Sequence, residues 1–366
     1  MLQAGLVGLP NVGKSTLFNA LTKSKKAEAA NYPFCTINPN VGIVTVADNR
    51  LEELAQLSKS ANIIAAAIKV VDIAGLVKGA SQGEGLGNQF LSHIREVDAI
   101  LLMLRCFGGS EIHHVSGNID PVEDLDIILT ELSLADYASV EKQLEKAKKG
   151  SLSKGKVLCD LSLLEKLSFF LAQGTPVFSI GLKAEELRQI KSLCLLTAKP
   201  VLLVCNVHET ELQLGENNPF VKKVIDYVGK NPFYEYVILS AQLEAELNEL
   251  EIQEKKEYLA SLGLTDSGCD NLIQRVYKLL GLRTFFTTGP KETRAWTIRA
   301  GDTASKAAGV IHSDFERGFI AAECLYYEDF IKYGSFAKAR EAGKIRIEGR
   351  DYIVGDGEII EFRFNV

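Results

Sequence analysis

Short apolar runs alternate with amphipathic stretches along the first hundred positions. Residues 2–8 read as a buried strand, followed by a glycine-rich turn and a helix over 15–22. Residues 41–46 read as a strand, 51–59 as a helix, and 66–72 as a strand that ends on the carboxylate Asp72. Residues 99–104 and 200–205 are apolar without interruption, as suits parallel strands buried on both faces. Such alternation predicts an α/β fold, a parallel-type sheet with helices on both sides.

Almost a hundred residues separate the last two strands, far more than one crossover needs. Within them, positions ~121–148 and ~158–172 carry helical periodicity around the polar turn 148–156. This predicts an antiparallel helical hairpin inserted into the sheet domain, assigned to 121–198. After Gly281 the pattern changes. Residues 284–289, 294–300, 317–327, 345–349 and 359–364 are strand-like, with short helical pieces near 305–309 and 336–342. A small α+β domain is expected over 282–366, after a sheet domain over 1–281.

Composition narrows the classes. The chain has 366 residues, 46% hydrophobic and 24% charged, which argues against a mainly disordered protein. No apolar run reaches the ~18–20 residues of a membrane span, and the first residues lack a leader pattern. A net charge of −6 gives no bulk attraction to nucleic acid, so RNA contact would need a local patch. The seven cysteines are scattered and never spaced as C-x-x-C, which fits reduced thiols in a cytoplasm rather than a disulfide framework or a zinc site.

The strongest chemical signal is Gly8-Leu9-Pro10-Asn11-Val12-Gly13-Lys14-Ser15, a G-x-x-x-x-G-K-[ST] phosphate loop between a strand and a helix. Backbone N–H groups of Asn11, Val12, Gly13, Lys14, Ser15 and Thr16 would form an anion nest. Lys14 adds a point charge for the β- and γ-phosphates, Ser15 a ligand for Mg²⁺, and the helix start its partial charge. Asp72-Ile73-Ala74-Gly75 follows as D-x-x-G at a strand end. There Asp72 would support Mg²⁺ and the Gly75 amide would sense the γ-phosphate. Thr36, in the loop Asn31-Tyr32-Pro33-Phe34-Cys35-Thr36, is placed to close on Mg²⁺ as a switch, and Cys35 beside it is a redox candidate.

Guanine-specific sites of this kind carry N-K-x-D after the fifth strand. Here the sequence is Asn206-Val207-His208-Glu209. Without the lysine and the shorter carboxylate, bidentate recognition of guanine is disfavoured. An amide such as Asn206 can pair with adenine, with Val207 covering the base. ATP is therefore favoured over GTP, and Ser240-Ala241-Gln242 takes the place of the second base-contact loop.

On these residues the chain resembles the YchF family, the Obg-like ATPases of the translation-factor class. The matching stretches are 8–21, 31–42, 72–95 with Gly83-Glu84-Gly85-Leu86-Gly87-Asn88-Gln89-Phe90, and 206–209. Arg294-Ala295-Trp296-Thr297-Ile298, 309–315 and 318–320 match as well. The resemblance covers essentially the whole chain, with His208 and Gln242 as departures. It implies a P-loop NTPase G domain, an inserted antiparallel helical domain and a C-terminal TGS domain of β-grasp form. It also implies Mg²⁺-dependent ATP hydrolysis, a cytoplasmic location and association with the ribosome. No DNA or membrane partner is expected. A monomer is expected.

Leu76 follows D-x-x-G where many GTPases place a water-orienting glutamine, so turnover should be slow or use another group. His93 is the catalytic candidate for ordering water, as the resemblance also suggests; a polar residue on a helix face is the competing reading. Asn11 either binds a monovalent cation or braces the loop. His113 and His114 lack a third ligand nearby, and His312 reads as structural. Between Glu141 and Lys156 there are six lysines and two glutamates, a local excess of +4 that suits RNA phosphates or a solvated face. Two alternatives stand beside the ATPase: an ordinary Obg-type GTPase, and a non-catalytic, nucleotide-stabilised ribosome-binding module.

Overall fold

Strand patterning in the first 240 residues produces β1 (Gln3–Val7), β2 (Val41–Thr45), β3 (Asn62–Ile64), β4 (Ala67–Asp72), β5 (Ala99–Arg105), β6 (Val201–Asn206) and β7 (Glu235–Leu239). The structure is a computed structural model describing residues 2–23, 40–73, 86–108, 119–150 and 159–365. Six of these strands form one sheet in the order β2-β4-β1-β5-β6-β7, with only β2 antiparallel to its neighbour. Every residue of β5 and of β6 is buried, which is why both read as unbroken apolar runs. Gly5 pairs with Val71 on one side and Ile100 on the other, so β1 lies at the centre. The strand order reverses there, and ligands of open α/β sheets bind at that point, off the carboxyl ends of the strands.

The long connection from β5 to β6 holds the helices Pro121–Gly150 and Leu161–Ala172. They pack together on Val140, Leu144, Leu163, Leu167 and Leu171, a core distinct from that of the sheet. The turn between them, with Lys154 and Lys156, lies outside the described residues.

A second sheet begins at Leu282 with β8 (Leu282–Thr288) and β9 (Glu292–Arg299), an antiparallel hairpin. It continues with β10 (Phe319–Leu325), β11 (Arg346–Glu348) and β12 (Ile359–Phe364). Ala304, Ala307 and Ala308 of the helix Ala304–Ile311 pack with Phe285, Ile298 and Ile360 over its face, and β12 runs parallel to β8: a β-grasp arrangement. The expected strand over 317–327 stops at Leu325, because a helix starts at Tyr327.

One strand was not legible in the pattern. The sheet order is β11-β10-β12-β8-β9-β3, so β3, from within the first domain, completes the C-terminal sheet by parallel pairing of Ile63 with Thr293. The contact is reinforced on both flanks. Ser60 Oγ donates to the Gly289 carbonyl at 2.7 Å, Tyr327 Oη donates to Glu53 at 2.6 Å, and Arg50 meets Asp356 at 3.0 Å.

Candidate functional site

The turn after β1 needs backbone freedom at two glycines. A Cβ on Gly8 would come within 2.7 Å of the Met103 carbonyl, and one on Gly13 within 2.6 Å of Asn206 Nδ2. Gly13 also has φ +96°, and Asn11 stands at φ 63°, a left-handed conformation that asparagine tolerates better than most residues. Asn11 thus has a backbone role in shaping the turn. Val12 turns its side chain into the core. The helix Lys14–Lys23 starts directly from the turn, with Ser15 and Thr16 exposed in its first turn.

Lys14 is buried across the mouth of this loop. Its Nζ donates to the carbonyls of Gly8 at 3.0 Å and Leu9 at 2.7 Å, which uses two of its three protons. Burial pulls its pKa down to about 8, with the negative charge of Asp72 acting in the opposite direction. Asp72 faces the loop from the end of β4, and Ser15 Oγ donates to its Oδ2 at 3.4 Å. Burial raises the Asp72 pKa, while Lys14 and Ser15 oppose that rise. The Asp72 backbone N–H donates to the Asn40 carbonyl at 2.9 Å, so β4 holds the chain four residues after Thr36. Thr36, Cys35, Gly75 and Leu76 lie outside the described residues.

The donor set fits a small hard cation. A hydroxyl and a carboxylate, both oxygen donors, converge at the start of a helix beside a phosphate nest, as Mg²⁺ prefers. Among the described residues no cluster of three or more His, Cys, Asp or Glu side chains forms a metal site.

The side chains expected to read the base also make contacts within the protein. Asn206 Nδ2 donates to the Val12 carbonyl at 2.9 Å and its Oδ1 accepts the Ala241 N–H at 2.9 Å. The amide ties the phosphate loop to the loop after β7, and one N–H and one lone pair remain. Val207 is only 2% exposed and packs in the core. Ser240 is buried and caps the helix Ala241–Leu247 through Leu243.

His93 is not brought to the phosphate loop in this structure. It sits exposed in the last turn of the helix Leu86–Glu96, two residues from Arg95. Lys199, just before β6, donates to the Arg95 carbonyl at 3.0 Å, so this end of the helix lies at the amino edge of the sheet. The phosphate loop is at the carboxyl edge. Six cysteines among the described residues are free thiols, and only Cys194 is exposed.

Two family models match. The YchF-GTPase_C family, described as a protein of unknown function, covers residues 282–365, and a model described as 50S ribosome-binding GTPase covers 3–143. A Bacillus subtilis protein named "Ribosome-binding ATPase YchF" is 50% identical over 100% of both chains. A Haemophilus influenzae protein of the same name is 50% identical, covering 100% of this chain and 99% of its own. The solved structure of the Schizosaccharomyces pombe YchF GTPase superposes with a TM-score of 0.87 at 38% identity, over 99% of this chain and 97% of the other. These names divide between ATPase and GTPase while the likeness runs from end to end. This chain belongs to the YchF family.

Proposed function

We propose that the protein is a Mg²⁺-dependent ATPase that hydrolyses ATP to ADP and phosphate and acts as a nucleotide-dependent switch on the ribosome. The observation that carries the chemistry is the convergence of Lys14, Ser15 and Asp72 at the carboxyl edge beside the central strand. Nest amides from Asn11 to Thr16 would cradle the phosphates. The third Lys14 proton is directed to the β- and γ-phosphates, and its charge offsets the charge that builds up in the transition state. Ser15 and Thr36 would hold Mg²⁺ with Asp72 in support; the ion supplies charge neutralisation between the phosphates. The Gly75 amide is the proposed γ-phosphate sensor.

The choice of ATP rests on two things: the missing lysine and aspartate of the guanine motif at Val207 and Glu209, and the names of the curated relatives. Those names also support the ribosome as partner and, with it, a cytoplasmic location. Among the described residues no helix is long and apolar enough to cross a membrane. The domain division proposed is a G domain over 1–281 carrying the helical insertion 121–198, then a TGS domain over 282–366.

Calorimetric titration with non-hydrolysable ATP and GTP analogues in Mg²⁺, followed by multiple-turnover phosphate release, tests the reading. Tighter ATP binding with continuing phosphate release is expected. Tighter GTP binding would make the protein an Obg-type GTPase. Nucleotide binding without turnover would make it a binding module.

A further inference from the structure

Opposite the phosphate loop, at the amino edge of the sheet, a polar cavity of about 250 Å³ opens between the helix Leu86–Glu96, the helix Pro121–Gly150 and the segment 192–195. Arg95 lines it together with Lys142 and Lys146, which stand one turn apart. Arg95 is held in place by neutral groups: its guanidinium donates to Ser139 Oγ at 2.9 Å and to the Cys194 carbonyl at 3.3 Å.

No ion pair joins Arg95, Lys142 or Lys146 to a carboxylate among the described residues, although acids are close in sequence. Those acids have other partners. Glu141 accepts from Ser168, Glu145 pairs with Lys149, and Asp136, the carboxylate that acts on Arg95, is taken by the N–H groups of Leu196 and Thr197. Lys142 and Lys146 form a like-charged i,i+4 pair, an arrangement that weakens a helix unless an anion compensates it. A guanidinium and two ammonium groups lining one cavity suit the oxygens of a phosphoryl group.

We propose that this cavity is a second anion site, separate from the nucleotide site, which binds a phosphoryl group. The ligand bridges the helix that follows the D-x-x-G segment to the helical insertion, so its binding braces one against the other. Its size suits one or two phosphates. The source is either free pyrophosphate or a phosphodiester of single-stranded RNA. The inference does not depend on ribosome association, because it concerns the isolated protein.

The full chain is first saturated with whichever non-hydrolysable ATP or GTP analogue binds more tightly, which fills the phosphate loop. Inorganic pyrophosphate and a short uridine oligonucleotide are then titrated separately, at low and high salt. The exposed pair Lys142→Ala/Lys146→Ala is compared with the native protein, and circular dichroism checks its fold. Saturable binding of either probe that weakens at least tenfold in the double variant supports the site, and the probe that responds identifies the source. If neither probe binds the native protein, or both bind the variant equally well, the site does not exist. The single variant Arg95→Gln must give the same loss; native-like binding by it would overturn the three-cation cavity.

Discussion

Asn206 donates its side-chain amide to the Val12 carbonyl at 2.9 Å across a span of 194 residues. The same amide accepts the Ala241 N–H. The side chain thus fixes the phosphate loop to the opposite side of the nucleotide cleft. Replacing Asn206 with Ala leaves two buried backbone groups without partners, a loss of about 1–3 kcal/mol of stability. Nucleotide affinity should fall for ATP and GTP alike, since the shape of the loop is lost for both. Chemical denaturation and competition binding read the two effects. A change in the ATP-to-GTP ratio, with the loop still formed, would return Asn206 to base recognition.

Lys14 gives the site a pH limit. Its ammonium is fully charged well below pH 8 and loses its proton as pH rises through about 8 in the nucleotide-free protein. Binding a triphosphate above that pH must recapture the proton, so affinity should fall by up to about tenfold per pH unit. Calorimetry in two buffers of different ionisation enthalpy should show proton uptake near zero at pH 7 and near one at pH 9. Lys14→Ala should remove this dependence and lower turnover about 100- to 1,000-fold. A flat affinity from pH 7 to 9.5 would place the Lys14 pKa elsewhere.

Arg50 and Asp356 join the first domain to the last, at 3.0 Å and with both partly exposed. Arg50 also pairs with Asp48 and lies 5.3 Å from the Phe286 ring centre. Screening keeps the coupling of Arg50 to Asp356 below about 1 kcal/mol in a double-mutant cycle. Asp356→Ala alone should cost more than that coupling, because its other oxygen accepts the Thr284 N–H at 2.8 Å. Urea midpoints of the two single variants and the double variant decide it.

The lysines around the turn of the insertion give a ribosome prediction. Lys148 lies 3.8 Å from Glu165 and Lys149 3.8 Å from Glu145, all strongly exposed. Replacing Lys148, Lys149, Lys154 and Lys156 with Ala should reduce ribosome co-sedimentation and flatten its salt dependence, while hydrolysis without ribosomes stays unchanged. Normal co-sedimentation at every salt concentration would leave a solvated face and turn attention to the C-terminal domain.

The phosphate side of the site was legible because it is local. Gly8, Gly13 and Lys14 sit on one turn, and a backbone nest follows from their spacing. The internal contacts of the proposed base side were not, because a motif gives a position and not a direction. Asn206 closes a strand and turns towards Val12, and Val207 then packs inward. The placement of His93 was hidden for a similar reason: its helical context was plain, but the end of the sheet it reaches depends on Lys199, over a hundred residues later. Strand β3 escaped notice because three residues carry no usable period, and its partner β9 is remote. The helices Pro219–Lys230 and Gly268–Leu279, with their Asn218 and Ser267 caps, were open to reading from cap signals and apolar spacing.

The pairing of β3 with β9 also sets an order of events during synthesis. Ile63 is made 230 residues before Thr293, the residue it pairs with. Until then its strand edge stays open, the condition under which nascent chains pair with the wrong neighbour. The late arrival of β9 makes this closure a high-contact-order step, slow compared with folding of the helical insertion. A chain cut after residue 281 would carry that open edge permanently, and the severed C-terminal piece would lack its outermost strand. The two domains, though separate in sequence, therefore share one sheet, and each covers an edge the other would leave open.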